Sequence, residues 1–266
     1  MLNLLLLRFI YLDYKRFNSS WIVFAGQILA SFVSLFVYFY TSKAFGSQFS
    51  NLGMDYFTFV LTAEVTLYLG GMLFVFPLDQ SRQWIQNGLF AYMLSLPQSI
   101  YRIFLMRSLA LIPRCFFFVI IQLTIAILFF DLSITLKTFG VLLIYPLFSF
   151  LLFFSLGIFS MSLFLLTGRG GASVGYLNTI LAVFSGAYFP LTVLPDWLRV
   201  IGSFNPYGTL LNAVRKFVVD QNLIILFDSL IPILLWSIAL SAISWVFLRF
   251  ALVNYRKNLK RFTYSM

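Results

Sequence analysis

Long uninterrupted runs of apolar residues, rather than alternation, set the pattern of this chain. Read in windows of about 19 residues, six runs stand out: Trp21 to Tyr40, Tyr56 to Phe76, Ser108 to Phe130, Phe139 to Leu166, Ser173 to Phe189 and Ser229 to Leu248. A helix needs about 20 apolar residues to cross the hydrocarbon core of a bilayer, so the pattern predicts an all-α integral membrane protein with six transmembrane helices. The fourth run is longer than one crossing requires and contains Pro146, which predicts a tilt or a kink. The fifth is short and carries Asn178, Ser185 and Gly186, a pattern compatible with crossing or with entering and turning back.

The segments between the runs predict further elements. Residues 1–20 place Arg8, Lys15 and Arg16 roughly on one helical side, with Leu2, Leu6, Phe9 and Phe17 away from them; this is the pattern of a helix lying at the inner membrane surface, although Asp13 interrupts it. The connection 77–107 holds Arg82, Trp84 and Gly88, followed by Leu89-Phe90-Ala91-Tyr92-Met93-Leu94 and Pro97. Its spacing predicts a short amphipathic helix, which either docks a partner protein or rests on lipid headgroups. In the connection 185–228, Pro195 suits the first turn of a helix and Pro206 disfavours helical geometry at Asn205, so a short helix is predicted between them, with a second from Thr209 to Val218. Trp197, Leu198, Val200, Ile201 and Phe204 are too apolar for a free aqueous loop, so these outer pieces are expected to dip back toward the membrane against protein.

Composition narrows the chemistry. The 266 residues are 61% hydrophobic and only 10% charged, which excludes a sizeable water-soluble enzyme or ATPase module beside the spans and leaves a single membrane domain over 1–266. With no histidine and one cysteine, Cys115, neither His/Cys metal sites nor His-based triads nor an internal disulfide framework can be assembled. The net charge of +10 lies beside apolar spans, pointing to membrane surface rather than nucleic acid.

The distribution of that charge predicts orientation. Thirteen of the 18 cations fall on one side of a six-span layout: Arg8, Lys15, Arg16, Arg82, Arg102, Arg107, Arg114, Arg169, Arg249, Arg256, Lys257, Lys260 and Arg261. Lys43, Lys137, Arg199, Arg215 and Lys216 fall on the other, balanced by Asp55, Asp131, Asp196, Asp220 and Asp228. Both termini, including the basic tail 249–266, are therefore expected in the cytoplasm.

Glu64, in the middle of the second run, is the one carboxylate deep in a predicted span and marks a possible pathway. It can line a cavity, serve the structure or relay protons, the last being the choice of an ion- or proton-driven transporter. The 34 Phe and 14 Tyr suit lipid contact and also the stacking of sugars or greasy molecules. Arg114 is expected to snorkel toward phosphates.

Two stretches resemble the permease subunits of type-2 ATP-binding-cassette (ABC) exporters. Gly88, Met93, Leu94 and Pro97 fit the spacing of that family's Gly-Thr-Leu-Glu-x-Leu-Leu-x-x-Pro pattern, with Leu89 in place of Thr and Ala91 in place of Glu. Ser185, Gly186, Phe189, Pro190, Leu191, Leu194, Pro195, Trp197 and Leu198 are similar to its outer run, Asn205-Pro206 to its Asn-Pro, and Ala213 with Arg215 to the Ala-x-Arg that follows. The resemblance implies a half-transporter that pairs with a second permease, expected as a homodimer, and with two cytoplasmic ATPase subunits, exporting a hydrophobic, lipid-linked or amphipathic substrate from a bacterial-type inner membrane. Arg82, Trp84, Gly88, Tyr92, Met93, Leu94 and Pro97 would form the coupling helix, and residues 185–228 the re-entrant outer helices. No Gly-x-x-x-x-Gly-Lys-Ser/Thr loop occurs in the chain. ATP and Mg would therefore sit in the partner subunit, and no cofactor or catalytic site is expected in this chain.

Overall fold

A computed structural model of the chain describes residues 7–12, 14–15, 21–45, 53–168 and 171–257. Among the described residues the fold is all-helical, without strands. Eleven α-helices are numbered here in order: α1 Trp21–Phe45, α2 Tyr56–Gln86, α3 Leu89–Ser95, α4 Ile100–Leu109, α5 Ile112–Phe129, α6 Leu136–Ile144, α7 Phe150–Thr167, α8 Gly171–Val183, α9 Asp196–Ser203, α10 Pro206–Asp220 and α11 Leu223–Lys257. Residues 7–12 and 14–15 are also helical, within the segment expected to lie at the membrane surface. Of the cations counted above, Arg16, Arg169, Lys260 and Arg261 lie outside the described residues.

Among the described residues, five helical segments are long and apolar enough to cross a membrane: Ala25–Ala44, Tyr56–Gln86, Ile100–Phe129, Leu136–Thr167 and Leu223–Lys257. The chain thus has the architecture of a multi-pass helical membrane protein. The predicted fifth run overlaps α8, whose 13 residues extend only about 20 Å at 1.5 Å per residue, less than the ~30 Å hydrocarbon core. Its predicted extension to Phe189 is cut at Ser185 and Gly186, where Gly186 takes φ +80° and turns the chain.

Pro146 acts as expected. It interrupts the fourth run with a 3₁₀ segment, Tyr145–Ser149, between α6 and α7, and the Ser149 hydroxyl donates to the Pro146 carbonyl at 2.6 Å. Pro77 behaves differently, because α2 continues through it to Gln86. The polar residues Asp79, Gln80 and Ser81 read as the start of a loop, yet Gln80, Ser81 and Trp84 are buried, and the Ser81 hydroxyl is satisfied by the Leu78 carbonyl at 2.7 Å. Packing of this last stretch against protein extends the helix beyond its apolar run.

The core is built around α2 and α7, with α11 lying along α7. Small residues permit the close approach of α2 and α7. A β-carbon on Gly70 would come within 2.4 Å of the Phe153 ring, and one on Gly157 within 2.2 Å of the Leu73 carbonyl oxygen. Pro77 has no N–H to offer that carbonyl four residues before it, so Gly157 packs over a backbone acceptor that the helix itself leaves free. Leu69, Leu73, Phe153, Tyr207 and Phe217 belong to one apolar cluster. Phe74, Trp84, Phe104, Phe154, Met161 and Leu248 belong to a second, nearer α3 and α4. Hydroxyl pairs join the helices across these clusters: Ser155 to Ser241 at 2.7 Å, and Tyr145 to Ser229.

Candidate functional site

Glu64 lies on α2 beside a cavity of about 400 Å³. Tyr68 follows it by four residues, which places the two on one face of the helix, and both line the cavity. The remaining polar lining comes from separate elements: Tyr38 from α1, Asn178 from α8, Tyr188 from the turn after it and Tyr207 from α10. Tyr207 is held in place from two sides. Its hydroxyl donates to Asn178 Oδ1 at 3.3 Å, and its ring meets Phe153 edge-on at 4.8 Å.

The Glu64 carboxylate is mostly withdrawn from solvent. The Gln122 side chain approaches it as a hydrogen-bonding neighbour, while Oε2 is buried and has no partner among the described residues. Among the described residues no Lys or Arg lines this cavity. A buried carboxylate oxygen without a donor or cation is costly; Oε2 itself is closed off, and the half-exposed remainder of Glu64 lines the cavity.

A second cavity, of about 380 Å³, lies beside Arg215 and is also lined by Ser185, Gly186, Pro190, Leu191 and Lys216. This is where the outer motif comes together. Arg215 is 7% exposed; its Nη1 donates to the Gly186 carbonyl at 2.8 Å, and its Nη2 to the Phe59 carbonyl at 2.9 Å and the Ala187 carbonyl at 3.1 Å. The guanidinium carbon lies 3.5 Å from the centre of the Phe59 ring. One side chain thereby fastens α10 to the 186–187 turn and to α2. Helix α10 lies outside the five candidate spans, and burial there lowers the guanidinium's pKa from its ordinary range.

Asn205 acts similarly at the start of α10. Its Nδ2 donates to the Leu181 carbonyl at 2.6 Å and its Oδ1 accepts the Tyr207 N–H at 3.0 Å, so it caps the helix that opens with Pro206. The Ser185 hydroxyl donates to the Ala182 carbonyl at 2.6 Å. Pro195 sits at the N-cap of α9 rather than in its first turn, and Phe189 and Leu194 are half-buried. Trp197 and Phe204 are each 68% exposed, leaving α9 with an apolar outer face.

The predicted coupling residues divide in two. Gly88 takes φ +68° and reverses the chain from α2 into α3. Leu89 and Tyr92 are exposed on α3, while Phe90 is buried and meets Tyr255 of α11 edge-on at 5.1 Å. Met93 and Leu94 pack against the second apolar cluster, Pro97 is exposed in the turn before α4, and Ser99 caps α4 by accepting the Arg102 N–H at 3.3 Å. Arg82 is exposed. Trp84 is buried against Phe104 at 5.1 Å, so it supports this region from within and offers no surface for docking. The Arg107 guanidinium lies between 5.4 and 5.9 Å from the rings of Trp84, Phe9 and Phe76, bringing the N-terminal helical segment against the end of α2.

The aromatic surroundings of Glu64 were not among the residues singled out from the sequence. Tyr68 carries a local signal, its spacing of four from Glu64. Tyr38, Asn178, Tyr188 and Tyr207 reach the site only through tertiary packing. Cys115 is buried. Arg114 is half-buried beside the Phe118 ring, 6.0 Å away, with its Nε unpartnered among the described residues. No group of three or more His, Cys, Asp or Glu residues able to hold a metal is found among the described residues.

Fold and site together define a multi-pass helical membrane protein with a carboxylate-bearing cavity between its helices. Comparison with known proteins finds no matching family model, no matching curated protein and no matching solved structure.

Proposed function

We propose that the chain is the permease subunit of an ATP-driven exporter of the type-2 ABC kind, moving a hydrophobic or amphipathic substrate through a path that includes the Glu64 cavity. The observation that carries this reading is the continuity of α2. One helix of 31 residues bears Glu64 near one end and leads at the other into the Gly88 turn and the exposed residues of α3. A push on α3 is transmitted along α2 to the cavity wall, which is what coupling to a separate ATPase requires.

In this reading α8 supplies a short sixth crossing, α9 and α10 form the re-entrant outer region, and both termini face the cytoplasm of a cell whose plasma membrane holds the protein. The clamp of Arg215 on the 186–187 turn supports an outer segment tied to α2, and the exposed apolar residues of α9 suit contact with lipid rather than with the spans. A second copy of the chain completes the path, and two ATP-binding subunits, with their ATP and Mg, dock at α3. Leu89 and Tyr92 form the docking surface, while Trp84 holds the base of the helix.

The unpartnered Glu64 Oε2 favours a second reading, a transporter driven by protons or another ion, with Glu64 as the coupling group. Purification of the tagged chain from its native membrane in mild detergent separates the two. Co-purification of an ATPase subunit, lost in a Leu89→Asp/Tyr92→Asp variant that still inserts in the membrane, is the expected result. Recovery of the chain alone, without ATP hydrolysis, under conditions that preserve other membrane complexes would reject the exporter and direct attention to Glu64.

A further inference from the structure

The cavity beside Glu64 has the chemistry of a site for one class of ligand. Its volume, about 400 Å³, falls in the range of small-molecule pockets, roughly 300–1,000 Å³. Its polar wall consists of the Glu64 carboxylate, four tyrosines (Tyr38, Tyr68, Tyr188 and Tyr207) and Asn178, and the rest is apolar. The carboxylate is near enough to act electrostatically on Tyr38 and Tyr68. Arg114, close to Tyr68, does not line the cavity, and no cation pairs with Glu64 among the described residues.

We propose that this cavity binds a hydrophobic organic cation, a quaternary ammonium or protonated amine, with Glu64 facing the charge and tyrosine rings forming the wall. Aromatic faces attract such cations through the ring quadrupole, and a desolvated carboxylate adds a full opposite charge. Other ligand classes fit less well. An anion would meet the uncompensated carboxylate. A neutral sugar could hydrogen-bond the carboxylate but would draw no attraction from its charge, a difference that a charged probe and its neutral isostere read directly. A hard metal ion seeks six or more oxygens, and only one carboxylate is present. The Arg215 cavity, of similar size, presents Arg215 and Lys216 together with Asp220 and lacks the one-sided negative character of the Glu64 site. That the cation is the transported cargo rests on the exporter reading above; that it binds does not.

The test uses the full chain in lipid nanodiscs and radiolabelled benzyltrimethylammonium, followed by equilibrium dialysis. Saturable binding is expected, with no competition from neopentylbenzene, the uncharged carbon isostere of the probe. Glu64→Gln should weaken binding at least about tenfold, equivalent to about 1.4 kcal/mol, while Glu64→Asp retains measurable affinity. Tyr68→Ala should weaken it about fivefold, and Tyr68→Phe, which keeps the ring, should stay within about twofold. Monodisperse elution of each variant reports folding. Should Glu64→Gln fail to fold, the Tyr68 pair and the neutral isostere decide.

Absence of saturable binding to the wild-type chain, or wild-type affinity in folded Glu64→Gln, or equal competition by the neutral isostere, would overturn the proposal. Cation binding without capture of an ATPase would keep the site and remove the exporter reading. Capture of an ATPase without cation binding would do the reverse.

Discussion

Arg215 and Glu64 are both withdrawn from water, and both meet α2, yet their surroundings differ in kind. Arg215 donates to three backbone carbonyls and lies on an aromatic face, with its Nε unpartnered among the described residues. Glu64 has one amide neighbour and an oxygen with no partner among the described residues. Removing a buried group from a largely satisfied network exposes its abandoned partners, whereas neutralising a charge with little support relieves a cost. The contrast separates a structural clamp from a group kept available for something else.

The largest effect should come from Arg215→Met. Removing the guanidinium strips donors from the Gly186, Phe59 and Ala187 carbonyls, and a loss of about 3–5 kcal/mol is expected, read as a large fall in apparent melting temperature and in monodisperse yield. Arg215→Lys should recover only part of it, because an ammonium cannot reproduce the planar fork. Next comes Gly186→Ala. The left-handed backbone at φ +80° and a 3.3 Å approach to Leu191 predict a cost of about 1–3 kcal/mol, measured by the same melting assay.

Glu64→Gln should shift stability the other way, raising it by up to about 1 kcal/mol through removal of an unbalanced charge. A destabilisation matching that of Arg215→Met would erase the distinction between the two sites. The smallest effect is expected from Tyr207→Phe. It loses the 3.3 Å bond to Asn178 but keeps the ring contact with Phe153, so the cost should stay within about 1 kcal/mol.

Much of the fold was visible in the chain because lipid imposes a simple demand, a sustained apolar run. The five long segments match runs that periodicity and length had marked, and Pro146 broke its helix where expected. The end of α2 was hidden, since Asp79, Gln80 and Arg82 look like loop residues and only tertiary burial of Gln80 and Trp84 reveals why the helix continues. Arg215 was visible as a motif residue and was counted among outer-side cations. Its burial depends on three carbonyls that no side-chain pattern encodes. Glu64 stood out by itself and Tyr68 is legible from its spacing of four, but Tyr38, Tyr188 and Tyr207 come from three other elements far apart in sequence, and neither spacing nor composition could have gathered them.

The meeting of Gly157 with the Leu73 carbonyl has a mechanical consequence. Every ordinary bend in a helix stretches or breaks a backbone hydrogen bond, but at Pro77 that bond was never formed. Bending α2 at this point would therefore cost no main-chain bond, yet Gly157 lies close against Leu73 and Pro77, and Gln80, Ser81 and Trp84 beyond them are buried, so packing holds the helix in line. In the exporter reading, that packing is what lets one continuous helix carry a displacement of α3 to the cavity wall. The brace at its centre joins Pro77 to Gly157, 80 positions apart in the chain.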